Sequence, residues 1–114
     1  MAIQTLQEKQ LGQHRINSTT ATSLYSPAAS VTAIIKSIVV CNQSGGAATF
    51  RLFVDDDGTT FDETTAHFWD APIAADTTVT IDTFWPMNDS TGNLATRTSV
   101  ANALTFTAYG AEIT

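Results

Sequence analysis

The sequence is poor in the residue types that most protein chemistry requires. It has one cysteine, Cys41, in 114 residues, so no disulfide can close within a chain, and stability has to come from core packing or association. Lys and Arg number 5 against 11 Asp and Glu, for a net charge of -6. So few cations cannot easily build the basic footprint that phosphates demand, which argues against a nucleic-acid partner. His14 and His67 are the only histidines, and no Gly-x-Ser-x-Gly elbow, phosphate-binding loop or His-Glu-x-x-His run is present. The expectation is a chain that is not an enzyme and carries no cofactor. No window approaches the ~20 apolar residues of a membrane span, and the first ten residues lack the basic and apolar regions of a signal peptide. A chain made in the cytoplasm, without a membrane partner, is expected. Helical periodicity and tandem repeats are also missing.

What is present is a single-domain length with 43% hydrophobic residues and much Ser, Thr and Ala. Residues 1–13 are Gln-rich and weakly patterned, an N-terminal arm or edge segment ahead of a domain over 14–114. Residues 14–25 are dense in Ser and Thr and read as a strand near an edge, ended by Pro27. The run 31–42 is the strongest strand, rich in β-branched residues and free of Gly and Pro. Simple alternation puts Val31, Ala33, Ile35, Ser37, Val39 and Cys41 on one face, and Ile34, Lys36, Ile38 and Val40 on the other. Both faces are largely apolar, so the second needs a cover, either another subunit or a loop over Ile38 and Val40.

Residues 47–54 form the next strand, with Phe50, Leu52 and Val54 inward, Thr49, Arg51 and Asp55 outward, and Phe53 breaking the pattern. The turn Gln43-Ser44-Gly45-Gly46 joins the two runs as an antiparallel hairpin. Further strands are expected over 66–71, 77–84, 94–100 and 104–113. In 77–84, Val79 and Ile81 point inward; in 104–113, Leu104, Phe106, Ala108 and Gly110 share a face. Seven or eight short strands with regular turns predict an all-β fold, a single antiparallel β-sandwich of immunoglobulin-like or jelly-roll type.

The acidic segment 55–65 is the best metal candidate. Asp55, Asp57 and Asp62 offer the oxygens that Ca²⁺ prefers, and Gly58 allows a sharp turn. The spacing fails the helix-loop-helix calcium template, because with Gly58 at position six the end positions fall on Phe53 and Thr64. The competing reading is a solvated turn whose carboxylates keep other sheets away. Cys41, inside an apolar strand, reads as buried and unreactive. The pairs Phe68-Trp69 and Phe84-Trp85 should each turn one ring inward and one outward, leaving Trp69 or Trp85 at a surface that packs on a partner or stacks on sugars. Interface candidates are therefore Leu6, Leu11, Ile34, Ile38, Val40, Trp69 and Trp85.

Six segments recur in order in one known group: Leu11-Gly12-Gln13, Leu24-Tyr25-Ser26-Pro27-Ala28, Ile38-Val39-Val40-Cys41-Asn42, Ala48-Thr49-Phe50-Arg51, Pro72-Ile73-Ala74-Ala75 and the ending Phe106 to Thr114. In these the chain resembles small virion proteins of tailed bacteriophages, over nearly everything after residue 11. The acidic insert around 55–65 departs from the common pattern. The resemblance implies a β-sandwich particle component, foremost a capsid decoration (cement) protein that assembles with copies of itself, a trimer being favoured, and with the major capsid protein. A tail- or fibre-associated module that contacts the host surface and binds glycans is the alternative. Either is a virion protein assembled in the bacterial host cytoplasm.

Overall fold

The computed structural model describes residues 5–88 and 90–114. Its strands are β1 (Leu6–Arg15), β2 (Thr22–Tyr25), β3 (Thr32–Asn42), β4 (Ala48–Asp55), β5 (Ala66–Ile73), β6 (Thr77–Met87), β7 (Asn93–Thr98) and β8 (Leu104–Ile113). They form two four-stranded sheets, β1-β8-β3-β6 and β2-β7-β4-β5, in which every pairing is antiparallel. This double-sheet order with eight strands is the jelly-roll arrangement, which settles the choice left open between the two sandwich types.

The interior follows from the apolar alternation of each strand. Phe50 and Leu52 of β4 meet Ile35, Ile38 and Val40 of β3 and Phe106 of β8, all essentially inaccessible to solvent. Fully burying side chains of this size contributes roughly 1.5–3 kcal/mol each. Val79 and Ile81 of β6 pack against this core from the sheet edge, as their alternation requires.

Simple alternation fails in β3. Its register slips between Ile35 and Ser37 on both sides: against β8 Lys36 is an extra residue, and in β6 Thr83 and Phe84 stand opposite it. The slip reverses the phase: Ala33 and Ile35 face inward before it, and Ile38, Val40 and Asn42 after it. The apparent second apolar face is thus one inward face read across a bulge. Ile38 and Val40, expected at an interface, are core residues with 0% exposure, and Val39 and Cys41 point outward. Cys41 is only partly buried, contrary to its expected place in the core. The bulge frees the Ile35 carbonyl, which accepts a hydrogen bond from Thr83 Oγ1 at 2.6 Å. Opposite the bulge stands Gly110, where an added Cβ would lie 2.0 Å from the Ile34 carbonyl oxygen.

The expected hairpin between residues 31–42 and 47–54 does not form. β3 lies in the first sheet between β8 and β6, and β4 lies in the second between β7 and β5. Residues 43–47 are a corner between sheets, which lets the apolar face of β4 close over that of β3. Asn42, fully buried, ties the corner down: its Nδ2 donates to the carbonyls of Gly46, Ile73 and Ala74 at 2.9, 3.3 and 3.1 Å, and its Oδ1 accepts from Ser44 N and Oγ. The expected single strand over 14–25 is likewise two strands in different sheets, with Ile16 buried between them. Residues 6–13 belong to β1, the edge of the first sheet, and the expected boundary before residue 14 falls inside that strand. Residues 1–4 lie outside the described residues.

Two stability predictions follow from these contacts. Gly110→Ala should cost about 3 kcal/mol or more in urea unfolding, because the obstructing atom is backbone of the neighbouring strand and cannot swing away. Asn42→Ala should cost roughly 3 kcal/mol by stranding buried carbonyls, and Asn42→Asp should do no better, since it turns an acceptor toward three other acceptors.

Candidate functional site

The register of the first sheet defines its outer face. At one end Leu6 pairs with Ile113 and Ile113 with Thr32; the next rung is Glu8, Ala111, Ile34 and Pro86. Gln10, Tyr109, Ser37 and Asp82 follow, then Gln13, Thr107, Val39 and Thr80, and finally Arg15, Thr105, Cys41 and Thr78. β-Branched residues suit the pleated surface of a sheet, which explains the threonines here. Many of the polar groups are satisfied laterally: Gln13 Nε2 donates to Thr107 Oγ1 at 2.9 Å, and Lys36 Nζ to Glu8 Oε2 at 2.9 Å. Shallow hollows of about 400 and 320 Å³ lie along this face and its rim, one touching Thr32, Ile34, Pro86 and Ile113, the other Glu8, Lys36 and Tyr109.

The second sheet carries a different outer surface. Phe53, the residue that broke the alternation of β4, points outward yet is buried, with Phe61 and Trp69 ring centroids 6.1 and 6.3 Å away. Phe61 comes from the acidic segment, which thus covers part of this face. Arg51 lies 3.5 Å over the Trp69 ring and donates to Asp70 from Nε and Nη2 at 2.6 and 3.1 Å. That pairing holds the Asp70 carboxyl below its ordinary range.

Of the candidate calcium ligands, Asp57 lies against Asp55, whose carboxyl pushes that of Asp57 up, but Asp62 does not complete a set of three. Asp55 accepts from the backbone N–H groups of Asp57 and Thr60 at 3.1 and 2.7 Å, which organises the loop and holds its carboxyl low. Asp62 instead accepts from Thr64 N at 2.8 Å. Among the described residues, no three His, Cys, Asp or Glu side chains gather as a metal site.

The interface candidates divide by position. Leu6 and Ile34 share the outer face of the first sheet, Leu11 sits at the β1 bulge against the core, and Trp69 is on the opposite face. Trp85 is not the exposed member of its pair: it faces inward beside His67 and Phe68, at 4.7 and 6.3 Å between ring centroids. Phe84, 67% exposed, is the outward ring. Tyr109 and Phe84 were not among the expected interface residues. The alternation of β8 placed Tyr109 outward, and in β6 the alternation that points Val79 and Ile81 inward continues to Trp85 and turns Phe84 outward.

Two titratable groups connect the sheets. Tyr25 Oη and Lys9 Nζ donate to Glu112 at 2.6 and 3.0 Å, joining β2, β8 and β1 and holding the Glu112 carboxyl below its ordinary 4.5. His14 of β1 lies 2.8 Å from Thr96 of β7, and burial holds its imidazole below the ordinary 6.5.

No protein-family model and no curated protein matches the chain. Among solved structures, a chain in the structure of infectious bursal disease virus strain Gx superposes with a TM-score of 0.54 at 16% identity, covering 98% of this chain and 33% of that one. A chain of the Gt strain gives a TM-score of 0.39 at 16% identity, covering 98% of this chain and 30% of the other. The chain therefore spans about a third of the length of these neighbours, and the Gx likeness is one of fold.

Acid should destabilise the protein in two stages. A depressed His14 value means the unfolded state binds the proton first, so stability starts to fall as pH drops below 6.5. The Glu112 contribution is complete above 4.5 and is lost as pH falls through its lowered value. Glu112→Gln should lower the urea midpoint at neutral pH and flatten the acid limb below 4.5, read from unfolding curves across pH.

Proposed function

We propose that this chain is a structural component of a virus particle, and within that class a capsid decoration (cement) protein of a tailed bacteriophage. It works by assembly and not by catalysis. The observation that carries the reading is the jelly roll itself, aligned over 98% of the chain with part of a chain in a virus structure. Jelly rolls recur in viral shells, though also in lectins and cupins. The ordered segments shared with small phage virion proteins support the viral choice.

In this mechanism each copy adds buried interface to a preformed shell, and its partners are further copies and the major capsid protein. An interface of standard size, ~1,600 Å² in total, repeated over many sites would stabilise the shell by avidity. Residues 6–13 would engage the shell as a sheet edge and not as a free arm, since β1 is hydrogen-bonded to β8 throughout.

A second reading, a tail- or fibre-associated module that contacts host glycans, is favoured by one observation. Trp69 is 42% exposed on the outer face of the second sheet, beside Arg51 and Asp70. Mixing purified protein with empty particles should give saturable binding and a raised particle melting temperature; no binding would sink the decoration reading. Trp69→Ala should leave both occupancy and host adsorption unchanged. Lost adsorption at normal occupancy would favour the glycan-binding module instead.

A further inference from the structure

Three of the five large apolar side chains exposed among the described residues, Leu6 at 56%, Tyr109 at 42% and Phe84 at 67%, belong to the first sheet. Leu6 and Tyr109 lie on its outer face by register, and Phe84 is turned outward at its β6 edge, next to inward-facing Trp85. The charges on that face cancel, with Glu8 and Asp82 against Lys36 and Arg15. In a chain of net charge -6, this is a surface on which two copies can meet without carrying the overall repulsion into the contact. The second sheet is unsuited to the same use, because segment 55–65 lies over it through Phe61 and brings Asp57, Asp62 and Glu63, while Asp56 of that segment lies at the rim of the first sheet's hollow beside Ile34 and Pro86.

We propose that the outer face of sheet β1-β8-β3-β6 is the docking surface for a second copy of this chain, packed face to face as a two-fold pair. The shape fits that occupant, since projecting rings and shallow hollows lie on one surface, as a self-complementary contact requires. The short Thr, Ser, Val and Cys side chains of the middle rungs allow the ~10 Å approach of stacked sheets. The size fits as well. Four strands about 4.8 Å apart and about ten residues long give a footprint of roughly 600 Å², approaching the ~800 Å² per partner of a stable interface. A face that meets its own copy closes a dimer, which replaces the trimer expected from the phage resemblance. Naming a copy as the occupant rests on the assembly reading of the previous section.

Sedimentation equilibrium of the full chain tests the pair. The wild type should show a dimer mass that dissociates on dilution. Tyr109→Glu and Phe84→Asp should each weaken association at least tenfold, and Ser23→Asp, on the outer face of the second sheet, should leave it unchanged. Circular dichroism confirms folding, and if Tyr109→Glu fails to fold, Phe84→Asp at the exposed sheet edge decides. A monomeric wild type at high concentration would overturn the inference, as would folded variants that associate like wild type, or a Ser23→Asp variant that dissociates equally. Particle binding is scored separately. A monomer that binds empty particles, and loses binding on Phe84→Asp, overturns the self-docking inference but leaves the decoration reading standing; a dimer that never binds particles does the reverse.

Discussion

The position of one extra residue, Lys36, governs the sandwich. β3 is hydrogen-bonded on both sides, so a slip in its register is transmitted to β8 and to β6 together. By reversing phase between Ile35 and Ser37, the bulge directs Ile35, Ile38 and Val40 into the same interior, where unbroken alternation would have sent half of them to solvent. The neighbouring strands accommodate it with different chemistry. β8 supplies Gly110, the residue type without a Cβ to strike the Ile34 carbonyl, and β6 supplies the Thr83 hydroxyl for the carbonyl of Ile35. Core composition, sheet register and the outer face thus depend on a single local irregularity.

The corner at Asn42 has a similar reach. A hairpin would have kept β3 and β4 side by side and left the apolar faces of both uncovered. Sending β4 to the other sheet lets each face cover its counterpart, and a buried carboxamide makes the crossing tolerable by serving backbone carbonyls from two separate segments. With the corner held, β4 and β5 form the one sequential pair within a sheet, and the remaining connections among the strands cross between sheets.

This explains which parts of the molecule were legible in sequence. The class, the strand positions from 31 onward and the inward sets of β4, β6 and β8 could be read, because each strand obeys a period of two over the residues that matter. Phe53 even announced itself as an exception, and the reason is a satellite of aromatic rings on the far side of its sheet. Pairing was not legible. A Gly-containing turn between two apolar runs carries the same local signature whether the chain pairs with itself or crosses to another sheet. Bulges are equally silent, since Lys36 in an apolar run looks like an ordinary outward residue. Ile38 and Val40 lie just beyond the β3 bulge, whereas Trp85 and Phe84 keep the period of two that β6 shows from Val79 onward.

The outer face of the first sheet takes its character from the same bulge. While Ile38 and Val40 counted as a second apolar face, association rested on aliphatic bulk in one strand. With those residues in the core, what remains outside is a flatter surface of threonines and amides, bounded by Leu6, Tyr109 and Phe84 and electrically neutral within an acidic molecule. Hydrophobic area alone does not separate interfaces from ordinary surface; depletion of charge at the centre, with aromatic anchors, separates them better. A sandwich has two outer faces, and here the acidic segment 55–65 folds over one through Phe61 on Phe53. Covering that face gives Phe53 its burial and concentrates carboxylates there, and the other face is left bare and uncharged in balance. The acidic segment therefore does more than close a loop: it makes the two sides of the protein unequal.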